Sequence, residues 1–124
     1  MSNCIFCNIL DDEIVDEYKH FFIIRDLFPV TNLHSLVIPK RHIVSYFECN
    51  KDEYDEILLV LNTQKTELKL KDETITGFNI GMIIGEDAGQ TIFHFHIHII
   101  PRRKGDIENP KGGIRGVIPD KQKY

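Results

Sequence analysis

"HFHIHIIPR", residues 94–102, alternates three histidines with Phe and Ile. Such alternation is typical of a β-strand, whose successive side chains point to opposite faces. We therefore expect His94, His96 and His98 to form one row of imidazoles, spaced about 7 Å apart at twice the rise per residue. The alternating apolar residues are expected to face the core: Phe93, Phe95, Ile97 and Ile99. A row of this kind can bind a metal, bind an anion or carry out nucleophilic chemistry.

Composition narrows the class of protein. The chain has 124 residues, of which 42% are hydrophobic and 27% charged, as in one soluble globular domain. It has no apolar run of the roughly 20 residues that a membrane span needs, and no signal-peptide pattern. Its three cysteines are an odd number, which favours a reducing compartment over a disulfide framework. We expect a single cytoplasmic domain over residues 1–124 that does not bind membranes.

Charge is unevenly distributed along the chain. The net charge of −4 argues against nucleic-acid binding. Residues 101–124 carry seven Lys or Arg against three acids, so this end is +4 and residues 1–100 carry −8. A basic end can attract a small anion such as a phosphate ester, and a solvated tail explains the same charges equally well. We expect residues 103–124 to form a surface tail.

Periodicity predicts five short strands and one long helix. The strands are expected at 13–18, 20–25, 34–39, 77–85 and the histidine stretch. The helix is expected from Lys51 to Lys71, with Asn50 as its N-cap and Glu53 completing a capping box. Its apolar stripe is expected to comprise Tyr54, Ile57, Leu58, Leu61 and Leu68. Short connections favour antiparallel pairing, so the fold class is α+β.

Near the start, Cys4 and Cys7 form a Cys-x-x-Cys pair. Such a pair is half of a zinc site, a thioredoxin-like redox pair, or two buried thiols. The redox interpretation needs a preceding strand, and three residues before Cys4 leave no room for one. A closed structural zinc site needs four ligands, so two more must come from elsewhere in the chain. Zinc and two buried thiols remain the alternatives.

Directly before the histidines, "GEDAGQT" (residues 85–91) predicts a glycine turn followed by Gln90 and Thr91. Glycines let backbone N–H groups approach a phosphate, and amide and hydroxyl groups add donors. A metal site on alternating strand histidines is the rival, but barrel metalloenzymes of that type need many more strands than this chain supplies. Together the turn and the histidine row favour a phosphate pocket that contains a nucleophile.

"GQTIFHFHIHIIPR" (residues 89–102) resembles the signature of the histidine triad (HIT) superfamily. Residues 34–42 ("HSLVIPKRH"), 4–10 ("CIFCNIL") and 26–29 ("DLFP") resemble its other segments, in the same order. The closing residues resemble the tail of a bacterial and archaeal branch similar to diadenosine tetraphosphate hydrolases. The resemblance implies a HIT-like α+β fold, a five-stranded antiparallel sheet with one long and one short helix. It also implies a homodimer that binds a small nucleotide substrate.

The resemblance also implies a reaction. His96 would attack the α-phosphorus of a dinucleoside polyphosphate or nucleoside phosphoramidate, and water would hydrolyse the nucleotidyl-histidine to a nucleoside monophosphate. Neutral imidazole suits this role, because its pKa near 6.5 leaves a free lone pair at pH 7. We expect a backbone carbonyl to hold the other ring nitrogen. His98 would contact the α-phosphate and leaving group, and Gln90 and Thr91 the phosphate oxygens.

Further site residues follow from the same resemblance. Asp26 would accept hydrogen bonds from the ribose hydroxyls, and His34 would support the histidine row from a neighbouring strand. The base pocket would be lined by Phe6, Ile9, Ile24 and Leu27. Zinc-containing relatives imply that His42 and His94 join Cys4 and Cys7 in one structural Cys₂His₂ zinc per chain.

One position departs from the family pattern. Seven residues before Gln90 the family usually has Asn or another polar residue, and this chain has Ile83. The change removes a polar contact to the substrate but leaves the nucleophile in place. Two alternatives to a hydrolase therefore remain: a non-catalytic nucleotide-binding adaptor, and a dinucleoside polyphosphate phosphorylase.

Overall fold

The computed structural model describes residues 3–124. Five strands form one sheet in the order β1-β2-β3-β5-β4, and every neighbouring pair is antiparallel. The elements are β1 (Ile14–Glu17), β2 (Phe21–Arg25), β3 (Ser35–Pro39), α1 (Lys51–Lys71), β4 (Ile75–Met82) and β5 (Ile97–Arg103). The predicted α+β class is confirmed. The short helices are 3-10 helices of three to five residues, for example Tyr46–Glu48 and Gly113–Val117.

Helix α1 begins at its predicted cap. The side chain of Asn50 accepts a hydrogen bond from the Glu53 backbone N–H at 2.9 Å, and the Glu53 carboxylate accepts one from the Asn50 N–H at 2.8 Å. Arg41 also donates to both carboxylate oxygens of Glu53, at 2.8 and 3.1 Å, and this lowers the pKa of Glu53. Because Arg41 precedes His42, this ion pair ties the segment after β3 to the start of the helix.

One face of the sheet packs against α1. Ile57, Val60 and Leu68 of the helix join the buried side chains of β2, β3 and β5 in one core cluster. Burying each such side chain contributes about 1.5–3 kcal/mol. The predicted stripe is wrong at Leu58, which is 67% exposed. The buried positions are spaced by three and four residues, and Leu58 follows Ile57 by one, which rotates it about 100° away from the sheet.

The opposite face of the sheet carries the histidines. His98 on β5 pairs with Leu36 on β3, which pairs with Ile24 on β2, while Gly81 of β4 pairs with His98 from the other side. Directly paired residues of antiparallel strands project to the same face. On this face of the sheet, His98 therefore lies between two regions. The region over β2 and β3 is apolar, and the region over β4 includes a glycine.

The histidine stretch is only partly a strand, which corrects the prediction. Strand β5 begins at Ile97, so His94 and His96 lie in the segment before it, where the backbone bends. Towards the N-terminus, pairing with β3 and β4 stops at Ile97. Strand β4 offers no further partner, because it ends at Met82 rather than at residue 85. Without a neighbouring ladder the preceding residues leave the sheet plane. Phe93 is consequently 48% exposed and not in the core, although the other three apolar residues are buried.

No helix within residues 3–124 is long and apolar enough to span a membrane.

Candidate functional site

A cleft of about 660 Å³ lies on the histidine-bearing face of the sheet. Its walls come from the N-terminal loop, from β2 and β3, and from the segment before β5. It brings together most of the residues predicted from the sequence: Phe6, Ile9, Ile24, Asp26, Leu27, Gln90, Thr91, His96 and His98. Phe6 and Ile24 are buried, whereas Leu27 is 72% exposed at the rim. His34 is buried behind His98 and does not line the cleft.

The ring of His96 is fixed with one nitrogen free. Its Nδ1 lies 2.8 Å from the backbone carbonyl oxygen of His94. A carbonyl only accepts hydrogen bonds, so Nδ1 carries the proton and Nε2 of the neutral ring keeps its lone pair. The edge of Phe6 packs against the ring, with centroids 5.0 Å apart. The backbone-carbonyl contact expected for His96 is therefore present, and Nε2 is the nitrogen available for chemistry.

A chain of hydrogen bonds determines the tautomer of His98. The backbone N–H of Val30 donates to His34 Nδ1 at 3.0 Å, so His34 carries its proton on Nε2. That N–H donates to His98 Nδ1 at 2.9 Å, which places the His98 proton on Nε2. Among the side chains of residues 3–124, His98 Nε2 is the one buried nitrogen or oxygen without a hydrogen-bond partner. An unpaired buried donor is costly, and a bound acceptor such as a phosphate oxygen would satisfy it.

Burial keeps the inner histidines neutral. Desolvation, together with the adjacent His96 and His34, lowers the pKa of His98 to about 4. Desolvation also lowers the pKa of His34, and the Asp26 carboxylate partly opposes this effect. Asp26 Oδ2 lies 3.5 Å from His34 Nε2, while Oδ1 accepts a hydrogen bond from the Phe28 N–H at 2.9 Å. At pH 7 His34 and His98 are thus neutral hydrogen-bond donors beside the Asp26 carboxylate.

Gln90 holds the turn before the histidines together. Its side-chain N–H groups donate to the carbonyls of Val44 and Ile92 at 3.0 and 3.2 Å, and its Oε1 accepts from the Gly85 N–H at 2.9 Å. Both amide N–H groups are therefore engaged, so the expected contact from Gln90 to phosphate is not preformed. The predicted glycine turn is present, with φ of 93° at Gly85 and 100° at Gly89. Thr91 is exposed beside the cleft, with its hydroxyl at the end of this turn.

A second cluster joins the two cysteines to two histidines. The ligand atoms of Cys4, Cys7, His42 and His94 all lie within 4.8 Å of one another. The Sγ–Nδ1 contacts measure 3.2–3.6 Å, and the two Nδ1 atoms are 3.1 Å apart. Tetrahedral zinc with ordinary bond lengths has S–N edges of about 3.5 Å and N–N edges of about 3.3 Å. The donors and their spacing fit a tetrahedral metal ion.

Hydrogen bonding also orients the buried ligand of this cluster. His94 Nε2 donates to the backbone carbonyl of Pro39 at 2.8 Å, which leaves the Nδ1 lone pair directed at the cysteines. His42 follows the end of β3, and His94 precedes β5, so the antiparallel pairing of these strands brings the two rings together. The N-terminal turn, in which the Cys7 N–H donates to the Cys4 carbonyl at 3.2 Å, adds the thiols. The cluster lies beside the cleft, because Cys4 also lines the cleft.

Five apolar residues of the cleft were not predicted from the sequence: Ile5, Leu10, Phe28, Leu36 and Ile92. All five lie in stretches that resemble segments of the HIT superfamily, and this resemblance is the signal that could have indicated them. The position of Leu36 depends on the register between β3 and β5, which no local pattern gives.

Comparison with known proteins identifies the family. The HIT domain model matches residues 9–105. An uncharacterised HIT-like protein of Methanocaldococcus jannaschii is 39% identical over 114 residues, covering 89% of this chain and 87% of that protein. A zinc-bound histidine triad protein of Mycobacterium smegmatis superposes with a TM-score of 0.76, at 32% identity over 85% of this chain and 78% of its own. Diadenosine triphosphate hydrolase of Plasmodium falciparum, solved with cyclomarin A, superposes with a TM-score of 0.74, at 30% identity over 82% of this chain and 68% of its own. The fold, the histidine site and these similarities agree, and the chain belongs to the HIT domain family.

Proposed function

We propose that this protein is a hydrolase that cleaves nucleotide derivatives at the α-phosphate through a nucleotidyl-histidine intermediate. One observation carries the proposal: His96, whose Nε2 keeps its lone pair, and His98, whose Nε2–H is unpaired, line the same cleft with their ring centroids 5.2 Å apart. A nucleophile next to a hydrogen-bond donor is what an attack on phosphorus requires.

In the first step, His96 Nε2 attacks the α-phosphorus. A P–N bond forms as the bond to the leaving group breaks, and the leaving group takes the bonding electron pair. An amine leaving group also takes a proton from solvent and departs neutral. His98 is neutral, so it serves as a hydrogen-bond donor to the developing negative charge and does not supply a full proton. In the second step, water attacks the phosphorus and releases a proton to solvent, the P–N bond breaks, and its electron pair returns to His96. A nucleoside monophosphate leaves.

The apolar half of the cleft suits a nucleoside. The base would lie among Phe6, Ile9, Ile24 and Leu27, and this assignment rests on their shared position in the cleft. Asp26 would accept hydrogen bonds from the ribose, since its carboxylate is near the cleft and has remaining acceptor capacity. The Thr91 hydroxyl would contact the phosphate, with Gln90 positioning the turn that carries it.

We also propose that the second cluster holds one structural zinc ion per chain. Cys4, Cys7, His42 and His94 supply four ligands, so no position is left for water or substrate. When bound, zinc would cross-link the N-terminal loop to the segments that follow β3 and precede β5. Phe6 lies between the two cysteines and packs against His96, so the cross-link also supports the wall of the cleft.

A homodimer is proposed on the basis of uncovered apolar surface. Leu58 and Leu59 of α1 are 67% and 57% exposed, and Ile80 and Met82 of β4 are 44% and 37% exposed. Strand β4 is at one edge of the sheet, where a second copy can extend the ladder.

A turnover panel tests the hydrolase proposal. The protein is incubated with adenosine phosphoramidate or diadenosine tetraphosphate, with and without inorganic phosphate, and AMP is measured. Release of AMP without added phosphate is expected for a hydrolase. Products that require phosphate would instead establish phosphorolysis. Absence of turnover on both substrates would contradict the enzyme proposal.

A nucleotide-binding protein without catalysis is the second candidate, and Ile83 favours it. This side chain lines the cleft and is 37% exposed there, so it offers no hydrogen bond to the substrate. Calorimetric binding of AMP by a protein that turns over neither substrate would support this candidate.

A further inference from the structure

The sheet order separates the two parts of a substrate. Strand β5 lies between β3 and β4, and the cleft extends from His98 over β3 and β2, where Leu36 and Ile24 form its floor. If the nucleoside occupies this apolar half, a leaving group on the far side of the α-phosphorus extends toward β4. This step rests on the proposed function, since it assumes attack by His96.

The C-terminal segment crosses β4 beside His98. Gly81 pairs with His98 and Asn79 with Ile100, so both share the face of the sheet that bears His98. Ile114 Cδ1 lies 3.6 Å from the position of a Cβ on Gly81, and the Asn79 amide lies 3.3 Å from that of a Cβ on Gly113. The glycine in β4 thus leaves room for the segment to pack one strand away from the histidine.

This segment holds two cations against an aromatic ring. The Lys111 ammonium and the Arg115 guanidinium lie 5.3 and 4.8 Å from the centroid of the Tyr124 ring. Within residues 3–124 neither forms an ion pair, whereas Arg102 and Arg103 are neutralised by carboxylates. Their charges are therefore available to an anion.

The local fold fixes this arrangement. Gly112 has φ of +89°, and a Cβ at this position would lie 1.7 Å from the Gln122 carbonyl oxygen. Only glycine at position 112 therefore lets the chain around Gln122 pack closely enough for Tyr124 to contact both cations. The Gln122 amide also donates to the Lys111 carbonyl at 3.3 Å.

The cleft itself lacks positive charge. Its lining contains no Lys or Arg among residues 3–124, and it includes the carboxylates Glu13 and Asp26. Neutral imidazoles and Thr91 can satisfy one phosphate by hydrogen bonds. A chain of further phosphates carries additional negative charge and needs cations from outside the cleft.

We propose that Lys111, Arg115 and Tyr124 form a subsite for a polyanionic leaving group. The subsite would favour substrates whose leaving group carries several phosphates over those that release a neutral amine. These residues position the leaving group by charge and do not take part in bond breaking.

Charge-removing variants test the subsite. Lys111→Gln and Arg115→Gln, singly and together, are assayed with diadenosine tetraphosphate and adenosine phosphoramidate. We expect kcat/KM for the tetraphosphate to fall about tenfold in the double variant, mostly through KM, because a screened charge contact to phosphate is lost. The phosphoramidate should change by less than about twofold, since its leaving group makes no such contact. Lys121→Gln is the matched control, because it removes the same charge from the same segment without removing a ring contact.

Gly112→Ala separates charge from placement. This variant keeps both cations but pushes the segment around Gln122 away from residue 112. It should therefore lower kcat/KM for the tetraphosphate selectively, as the double variant does. Its melting temperature is measured as well. Equal losses on both substrates in the double variant, or no loss, would overturn the subsite and leave the hydrolase proposal intact.

A binding measurement keeps the test independent of turnover. Should the wild-type protein hydrolyse neither substrate, binding of inorganic tripolyphosphate is compared between the wild type and the double variant. Weaker binding by the double variant would support the subsite although the hydrolase proposal has failed. Equal affinity would overturn the subsite as well.

Discussion

Acid should destabilise this protein through His98. Burial, with the adjacent His96 and His34, lowers the pKa of His98 from 6.5 to about 4. Between pH 6.5 and about pH 4, the His98 imidazole is protonated in the unfolded chain but neutral in the folded protein. The unfolded state therefore binds more protons, and the free energy of unfolding falls as pH decreases from 6.5 to 4. The difference between the two pKa values corresponds to about 3 kcal/mol in the free energy of unfolding. Nearly all of this contribution is lost by pH 4.

Urea unfolding of the wild type and His98→Gln at several pH values from 7 to 4 measures this contribution. The difference between the two proteins removes acid effects that they share, such as proton competition at the proposed zinc site. We expect the wild type to lose about 3 kcal/mol relative to the variant over this range. His20→Gln serves as the control, because it removes a histidine outside the site.

A constant difference between wild type and His98→Gln, within about 0.5 kcal/mol across the range, would refute the reasoning. A direct check is the NMR titration of the His98 ring, which should remain neutral down to about pH 5. Titration of this ring near its ordinary value of 6.5 would show that the site is better solvated than its burial indicates.

Four further predictions concern the proposed chemistry, metal and assembly. His96→Ala should abolish AMP release while AMP binding by calorimetry is retained, and a rate near that of the wild type would exclude His96 as the nucleophile. His98→Ala should lower kcat by about 10²-fold, because one donor to the developing charge is lost, and an unchanged kcat would contradict this role. Cys4→Ser should reduce bound zinc below about half an equivalent per chain by elemental analysis and lower the melting temperature, whereas unchanged zinc content would show that the ligand set is wrong. Light scattering at micromolar concentration should give a dimer for the wild type and a monomer for Leu58→Glu, and a monomeric wild type would contradict the proposed dimer.

Local features of the fold were predictable because local interactions determine them. Helix α1 spans Lys51–Lys71 as expected, since the cap at Asn50 and the helical period are encoded within a few residues of one another. The prediction failed at Leu58, where several leucines in succession left the buried face ambiguous. The polar Gln64 is buried on that face, with its amide bonded to Asp16 and the Tyr18 hydroxyl of the distant β1 region. No helical pattern could indicate those partners.

In the candidate site, too, local features were predictable from the sequence and long-range contacts were not. The spacing of the histidines, the glycine turn and the Cys-x-x-Cys pair are properties of the sequence, and they indicated several of the residues that the structure brings together in the cleft and in the second cluster. The sequence did not show that the strand starts only at Ile97, because the length of a ladder depends on where its neighbours end. It also gave no reason to expect both amide N–H groups of Gln90 to be bonded to backbone carbonyls.

The tautomers of His94 and His98 were decided by the tertiary structure alone. The sequence determined that three histidines alternate, but a neutral imidazole has two tautomers, and hydrogen-bond partners choose between them. For His98 the choice begins at Val30 and passes through His34, which lies 64 residues away in the chain. For His94 it is made by the carbonyl of Pro39, 55 residues away. Side-chain alternation is a short-range property of the backbone, whereas these contacts exist only after β3 and β5 have paired in register.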